Sequence, residues 1–490
     1  MDLPETLGES LNLAMNFTGD MFVPDSIDAR LFVQGKDIKL AKIITGDLPF
    51  DFAITKGHGD FSAWSTWKAT QMTQMSGNIL MSDAEIKDKQ NNIFPIDQLE
   101  LQFKLQKQQQ QWQLALKDAH LSSQKVDLDI PLFSVALEHN KNGDLTQLAL
   151  NCPSLNLGSL NKIITQNRVL AEDTHKHIQS LAIEGQVKDL LFLANPLEQT
   201  FSINGQLNQL HTKATDEFPG IDGLSLFIKR TEQQGDIFLN SQQLTYNAPS
   251  QLREPLHLTH ALGEIHWQQQ ADNWLFSSPM LELNTTELKT KNKFQLSLTK
   301  NDQPASLTLQ SAFYGHDAAQ IPHYLTTGIV KQKALLEWLD YAFLSGDADH
   351  GGLLFRGALN NYPFTDSSGV FEVLFNAKNV DLHYADDWPL VENLAAKIRF
   401  FSESLEVNIH QGLANQATIE GATIKLDSFA SSHTLSIKGD VSGDLTQAID
   451  FLKQTPYKEQ ITTVNNLLDM QGLFSATIDL EVPMIDDLAA

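Results

Sequence analysis

Three neighbouring runs decide how this chain folds: Gly369-Val-Phe-Glu-Val-Leu-Phe375, Leu394-Ala-Ala-Lys-Ile-Arg-Phe400 and Leu405-Glu-Val-Asn-Ile409. Apolar residues recur at every second position: Phe371, Val373 and Phe375; then Leu394, Ala396, Ile398 and Phe400; then Leu405, Val407 and Ile409. A period of two marks a strand with one apolar face. The turns between the runs are short and polar, so neighbours should pair as an antiparallel meander.

On either side of these runs the pattern predicts further elements. Strands are expected at 352–359, 369–384, 394–401, 405–411 and 417–426, after a helix at 330–344. In that helix Leu335, Leu336, Leu339 and Phe343 share one face, with Trp338 beside it. Upstream, Leu11, Leu13, Met15 and Phe17, then Ala29, Leu31 and Val33, alternate in the same way. The glutamines from 106 to 111 read as a hairpin loop. Leu160, Ile163, Ile164 and Leu170 are spaced for a helix within 157–172. A second helical piece, 448–468, should break at Pro456, and 472–480 reads as a strand.

An order of Gly, then Pro, then a second hairpin recurs three times. Gly77 to Pro95 spans 18 positions, and Gly235 to Pro255 and Gly369 to Pro389 each span 20. That suits a large β unit repeated with variable inserts, in which Gly opens a strand and Pro interrupts the ladder. The expected segments are a first β unit at 1–176, a second at 177–313, a helical linker or plug at 314–345, a third β unit at 346–445, and a helix with the start of a further unit at 446–490.

Of the 490 residues, 42% are hydrophobic, which is ample for a core. The chain has 60 acidic against 35 basic residues, a net charge of −25, which argues against nucleic acid and against charge-driven binding to anionic headgroups. Cys152 is the lone cysteine, so neither an intrachain disulfide nor a CxxC metal site is available. No apolar run approaches the roughly 18–20 residues of a membrane helix, and Met1-Asp2-Leu3-Pro4 lacks the basic and apolar regions of a signal peptide. The chain opens and closes mid-pattern, as a fragment of a longer protein would.

Catalytic chemistry finds no support. His257, His260 and His266 cluster in sequence, but residues 257 and 260 of a strand point to opposite faces and converge poorly on a metal. Gly57-His-Gly59 and Gly351-Gly352 read as turns, and Asp347, Asp349 and His350 as a solvated loop. No nucleophile elbow and no HExxH is present, so no catalytic residue, metal or cofactor is expected.

From 324 to 401 the sequence resembles the YhdP branch of the AsmA-like envelope proteins. The residues that carry the resemblance are Tyr324-Leu325, Leu336-Glu-Trp-Leu339, Gly346, Gly351-Gly-Leu353, Arg356-Gly357, Tyr362-Pro-Phe364, Gly369-Val-Phe371, Trp388-Pro389 and Ala395-Ala-Lys-Ile-Arg-Phe400. Pro219 to Leu226 and Trp267 to Leu283 are similar to the preceding unit of the same proteins. Thr326 departs from the Tyr-Leu-Pro expected at that point.

The resemblance implies a mainly β fold: an elongated, antiparallel, strongly curved β-groove with a few short helices. It implies a Gram-negative periplasmic protein, held in the inner membrane by an N-terminal helix that this sequence lacks. Its role would be to move phospholipid toward the outer membrane, alongside envelope protein partners. The ten alternating residues from Phe371 to Ile409 are then the candidate lining for acyl chains. A chain of CH₂ groups gains about 0.8 kcal/mol per group on leaving water, and a continuous apolar trough supplies that along a route. Two other readings stay open: a scaffold for outer-membrane assembly whose apolar faces pack into a closed core, and a polysaccharide or lipid hydrolase, which would need paired carboxylates in a cleft.

Overall fold

Period-two alternation yields strands through most of the chain, 23 in all among the described residues. A computed structural model describes residues 2–483 apart from 21, 45–51, 89–91, 168–171, 271, 300–303, 325–332, 430, 433 and 468–470. The fold is mainly β, antiparallel, with a few short helices.

The first compact unit is Met1–Ile237. Its strands are β1 (Ser10–Thr18), β2 (Asp28–Lys39), β3 (Ala53–Lys68), β4 (Gln71–Lys87), β5 (Ile93–Gln108), β6 (Gln111–Ser123), β7 (Val126–His139), β8 (Leu145–Asn156), β9 (Glu184–Asn195), β10 (Thr200–Thr212) and β11 (Gly220–Thr231). Each pairs antiparallel with the next in sequence. A four-residue helix, α1 (Leu40–Ile43), follows β2, and α2 (Leu157–Asn167) and α3 (Glu172–Leu181) follow β8. Ile38, Leu40 and Ile54 form a small buried core there, with Phe61 and Met81 against it.

The division between the units falls within β12 (Gln234–Asn247). The second unit, Phe238–Ala490, holds β13 (Leu256–Gln269), β14 (Asn273–Asn284), β15 (Leu288–Thr299), β16 (Ser306–His316), β17 (Phe343–Ala358), β18 (Val370–Leu382), β19 (Val391–Phe401), β20 (Ser404–Ala414), β21 (Ala417–Leu426), β22 (Thr434–Asp444) and β23 (Leu473–Pro483). These again pair in sequence order, all antiparallel. After β16 comes α4 (Lys333–Ala342); after β22 come α5 (Leu445–Lys453) and α6 (Lys458–Leu467). Asp444 starts α5 by accepting from the Thr446 amide at 2.9 Å, and Gln447 reaches back to the Asp444 amide. Pro456 separates α5 from α6, as its missing N–H requires. No described helix is long and apolar enough to cross a membrane.

The expected helix at 330–344 is α4, which ends two residues earlier at Ala342; residues 330–332 lie outside the described ones, as do Leu325, Thr326 and Leu170. Three expectations are corrected. Gly57-His-Gly59 lies inside β3, and Asp347, Asp349, His350 and Gly351-Gly352 lie inside β17, not in turns or a loop. A sheet with one solvated face takes charges at alternate positions without breaking, and Lys378 of the next strand pairs with Asp349 at 2.6 Å. Gly77 also lies within β4 rather than at its start. A Cβ there would sit 2.0 Å from the Ser62 carbonyl, so close strand approach demands glycine.

Six strands carry a bulge with one signature. Gly35-Lys-Asp-Ile38, Met81-Ser-Asp-Ala84, Leu116-Lys-Asp-Ala119, Val187-Lys-Asp-Leu190, Ala377-Lys-Asn-Val380 and Val391-Glu-Asn-Leu394 each place two successive exposed residues between two inward ones. The third residue takes a left-handed backbone, with φ from 47° at Asp37 to 53° at Asn379. Asn and Asp accept that conformation more readily than other side chains. Each bulge bends its strand and sharpens its twist, and bulges on neighbouring strands curve the sheet of each unit.

Candidate functional site: an apolar sheet face

Directly opposite residues in an antiparallel ladder point to the same face. By register, Val373 faces Phe400, Phe375 faces Ile398, Ala377 faces Ala396 and Val380 faces Leu394. One strand on, Ile398 faces Val407, Phe400 faces Leu405 and Ala396 faces Ile409. The face continues to Leu426, Ile424 and Ala422 on β21 and, through Ile424, to Ile437 on β22. In the other direction Phe371 faces Phe355 and Val373 faces Leu353. All ten candidate lining residues therefore share one face.

They differ in burial. Ala396 (2% exposed), Leu394 and Ile409 join Ala377 and Val380 in the buried cluster beside the bulges. Phe371, Val373, Phe375, Ile398, Phe400, Leu405 and Val407 are only half-buried. In a two-layer sandwich the facing sheet would close over such a row. Here the row is capped at its ends. Tyr362 and Phe364, from the segment between β17 and β18, pack on Phe371 and Phe355, with Phe364 buried. Phe429 stacks on Phe400 with ring centres 6.3 Å apart.

Helices close the other end of the strands. Trp338 of α4 donates its indole N–H to the Tyr384 carbonyl at 3.0 Å, and Trp388 packs against Phe451 of α5 and Tyr457. Burial pushes the Tyr384 phenol up to about 12. Arg253 clamps Asp340 of α4 through two 2.7 Å bonds. Tyr324 donates to Glu287 at 2.7 Å from a short turn of helix, its phenol pushed up to about 12 chiefly by burial.

The first unit has a matching face. Val33, Ala63, Gly77 and Phe103 follow one another across β2 to β5, and Leu116, Phe133 and Val135 extend the row over β6 and β7. A depression of about 1050 Å³ in that unit runs along Asn12, Gln34, Ser62, Asn78, Gln102 and Lys117, which the register places on the opposite face, and Phe61, Leu80, Leu101 and Phe103 also line it. A twisted sheet is saddle-shaped, so concavity alone does not mark a binding face. An acyl chain gains burial only against apolar side chains, and the continuous apolar row offers more of them than this mixed depression does.

The outer face of the second unit is polar. Arg399 bonds Glu372 at 2.7 Å and lies over the Phe401 ring. His257 bonds Thr245, and His266 lies 3.5 Å from Glu264; the three β13 histidines are not brought together on one shared partner.

The YhdP protein family model matches residues 1–488. The chain belongs to the YhdP family. It is 20% identical over 474 residues to the intermembrane phospholipid transporter YhdP of Escherichia coli K12, covering 94% of this chain. The chain spans 37% of that relative's length. No solved structure matches it. In this YhdP-family chain the residues first read as lining are brought together on one face, and sequence reading missed their neighbours Leu353, Phe355, Ala377 and Val380. The signal for the last two was the apolar–polar–Asn–apolar bulge signature, which shifts the alternation by one residue.

Proposed function

We propose that this chain is a segment of a longer envelope protein that conducts phospholipid between inner and outer membranes, with acyl chains lying on its apolar sheet face. The half-exposed row Phe371, Val373, Phe375, Ile398, Phe400, Leu405 and Val407 is the observation that carries the reading. Three strands at about 4.8 Å spacing make a band roughly 10 Å between its outer members, wide enough for acyl chains. The YhdP relative's printed name, an intermembrane phospholipid transporter, supports the same role.

The role is non-enzymatic and needs no cofactor. The whole protein would sit in the periplasm, anchored in the inner membrane outside this segment and met there by envelope protein partners. The β units at 1–176, 177–313 and 346–445 would each present such a face, and the inserts at 314–345 and 446–490 would close strand ends.

A photo-crosslinking side chain tests this in cells. At Phe375 or Ile398 it should capture phospholipid; at Glu372 or Arg399, on the other face, it should not. Absence of lipid adducts at both inward positions would overturn the reading and favour a scaffold with a packed face.

A further inference from the structure

Polar side chains interrupt the apolar face of the second unit across β14 to β16, and the interruption is built. Across β14, β15 and β16 the inward positions read Phe276, Leu296 and Leu307 at one level. At the next level Phe294 faces Leu309, which leads on to Phe355 and Phe371. One step further the row turns polar. Asn292 faces Ser311, and Ser311 faces Leu353 and so Val373. Thr290 follows along β15, and on β14 Leu281 stands opposite Asn292 while Ser278 stands opposite Phe294, one level back.

The seam is fixed by its own bonds. Asn292 Nδ2 donates to the Leu281 carbonyl at 2.9 Å and to Thr290 Oγ1 at 2.8 Å. Thr290 Oγ1 in turn donates to the Leu283 carbonyl at 2.8 Å. Both Asn292 amide hydrogens are thus used, which leaves its carbonyl oxygen as an acceptor. Ser278 is buried, 2% exposed, and its hydroxyl has no hydrogen-bond partner. An orphaned hydroxyl is costly, and a ligand seated on the seam would supply the missing partner. Ser311, half-buried, presents a second hydroxyl one strand away from Asn292.

The charge pattern narrows the ligand. Lys289, Lys291 and Lys293 alternate with Thr290 and Asn292, so they point to the outer face, and Lys291 pairs with Glu282 there at 3.1 Å. The seam holds no cation, and a phosphate would gain no charge pairing in it. Ester carbonyls are neutral acceptors that match two serine hydroxyls, and they sit between headgroup and acyl chains.

We infer that Ser278 and Ser311, on the two strands that flank the tied-down Asn292, form a polar station that seats the glycerol-ester region of a phospholipid whose acyl chains lie on the adjoining apolar rows. This rests on the conduit reading and sharpens it: lipid pauses at β14–β16 and slides elsewhere. The test uses the full-length protein loaded from vesicles of phosphatidylethanolamine labelled with ¹³C at its ester carbonyls. Bound lipid should show a hydrogen-bonded carbonyl stretch shifted to lower frequency. Ser278→Ala with Ser311→Ala should remove that component and lower retained lipid roughly two- to tenfold, the scale of one or two neutral hydrogen bonds. Ser278→Ala alone should raise the Tm while lowering retention, which separates the station from a structural role. Gln295→Ala, on the outer face, should change neither. An unchanged carbonyl band and unchanged retention in the double variant, with lipid still captured at Ile398, would overturn the station and leave the conduit standing. Loss of lipid at Ile398 in the unsubstituted protein would overturn both.

Discussion

Val373 and Phe400 stand directly opposite each other across β18 and β19, both half-buried, while two pairs along the same ladder Ala377 and Ala396 face each other and are sealed. One strand pair thus passes from an open stretch to a closed one within a few residues. A charge introduced at the two places should behave differently. Val373→Asp can keep its carboxylate hydrated, so the protein should fold with near-normal Tm and lose lipid carriage. Ala396→Asp would bury an unpaired charge at a cost of several kcal/mol and should unfold the segment. Equal destabilisation of the two variants in thermal melts would show that the Val373 row is a closed core.

Much of this arrangement was legible in the residues. The 417–426 strand has the expected limits, and 394–401 extends by three residues to Val391. The alternation of Leu405, Val407 and Ile409 placed them on one face because only the short-range period of two was needed. The bulges were not legible from that period. At Ala377-Lys-Asn-Val380 the alternation slips by one residue, so the expected 369–384 strand ran through the bulge while Ala377 and Val380 went unread as inward positions. Asp349-His350 was lost for the same reason, with Gly351 beside it reinforcing the appearance of a loop. The cause is a cross-strand contact: the Phe313 ring lies over Gly351, a relationship between positions 38 apart.

The left-handed residue of a bulge should be measurable by substitution. Asn379 has φ 53° and is exposed, so its side chain contributes little packing. Asn379→Val places a β-branched residue in a conformation it resists and should cost about 1–2 kcal/mol in denaturant unfolding. Asn379→Gly should be neutral or slightly stabilising, because glycine takes positive φ freely. If the valine variant is as stable as the glycine one, the bulge is not held in that conformation.

Gly351 offers a packing test on the same strand. A Cβ there would lie 2.1 Å from the Phe313 ring, and that ring also packs on Phe375 with centres 6.1 Å apart. Gly351→Ala should displace Phe313 and cost about 1–3 kcal/mol through overpacking. Combining it with Phe313→Leu should recover part of the loss, since the two changes share one contact. Additive losses in the double variant would show that the ring does not cover the glycine.

The clamp between Arg253 and Asp340 gives a pH dependence with a definite sign. The guanidinium bonds both carboxylate oxygens at 2.7 Å and holds the Asp340 carboxyl below its ordinary range. A carboxyl whose folded pKa is depressed contributes stability above its unfolded value, near 3.9, and loses it as pH falls through the folded value. The pair is partly exposed, so its contribution is at most about 1 kcal/mol. Hydrogen exchange in α4 should therefore be uniform from pH 7 down to about 4 once corrected for intrinsic rates, and should speed up below that. Asp340→Asn should speed exchange at pH 7 and flatten the pH dependence, because the amide cannot supply the charge. Arg253→Lys should recover little, since an ammonium lacks the planar fork that engages both oxygens. An Asp340→Asn variant whose α4 exchange still accelerates below pH 4 would place the titrating group elsewhere, and the clamp would not be what ties this helix to the β12–β13 segment.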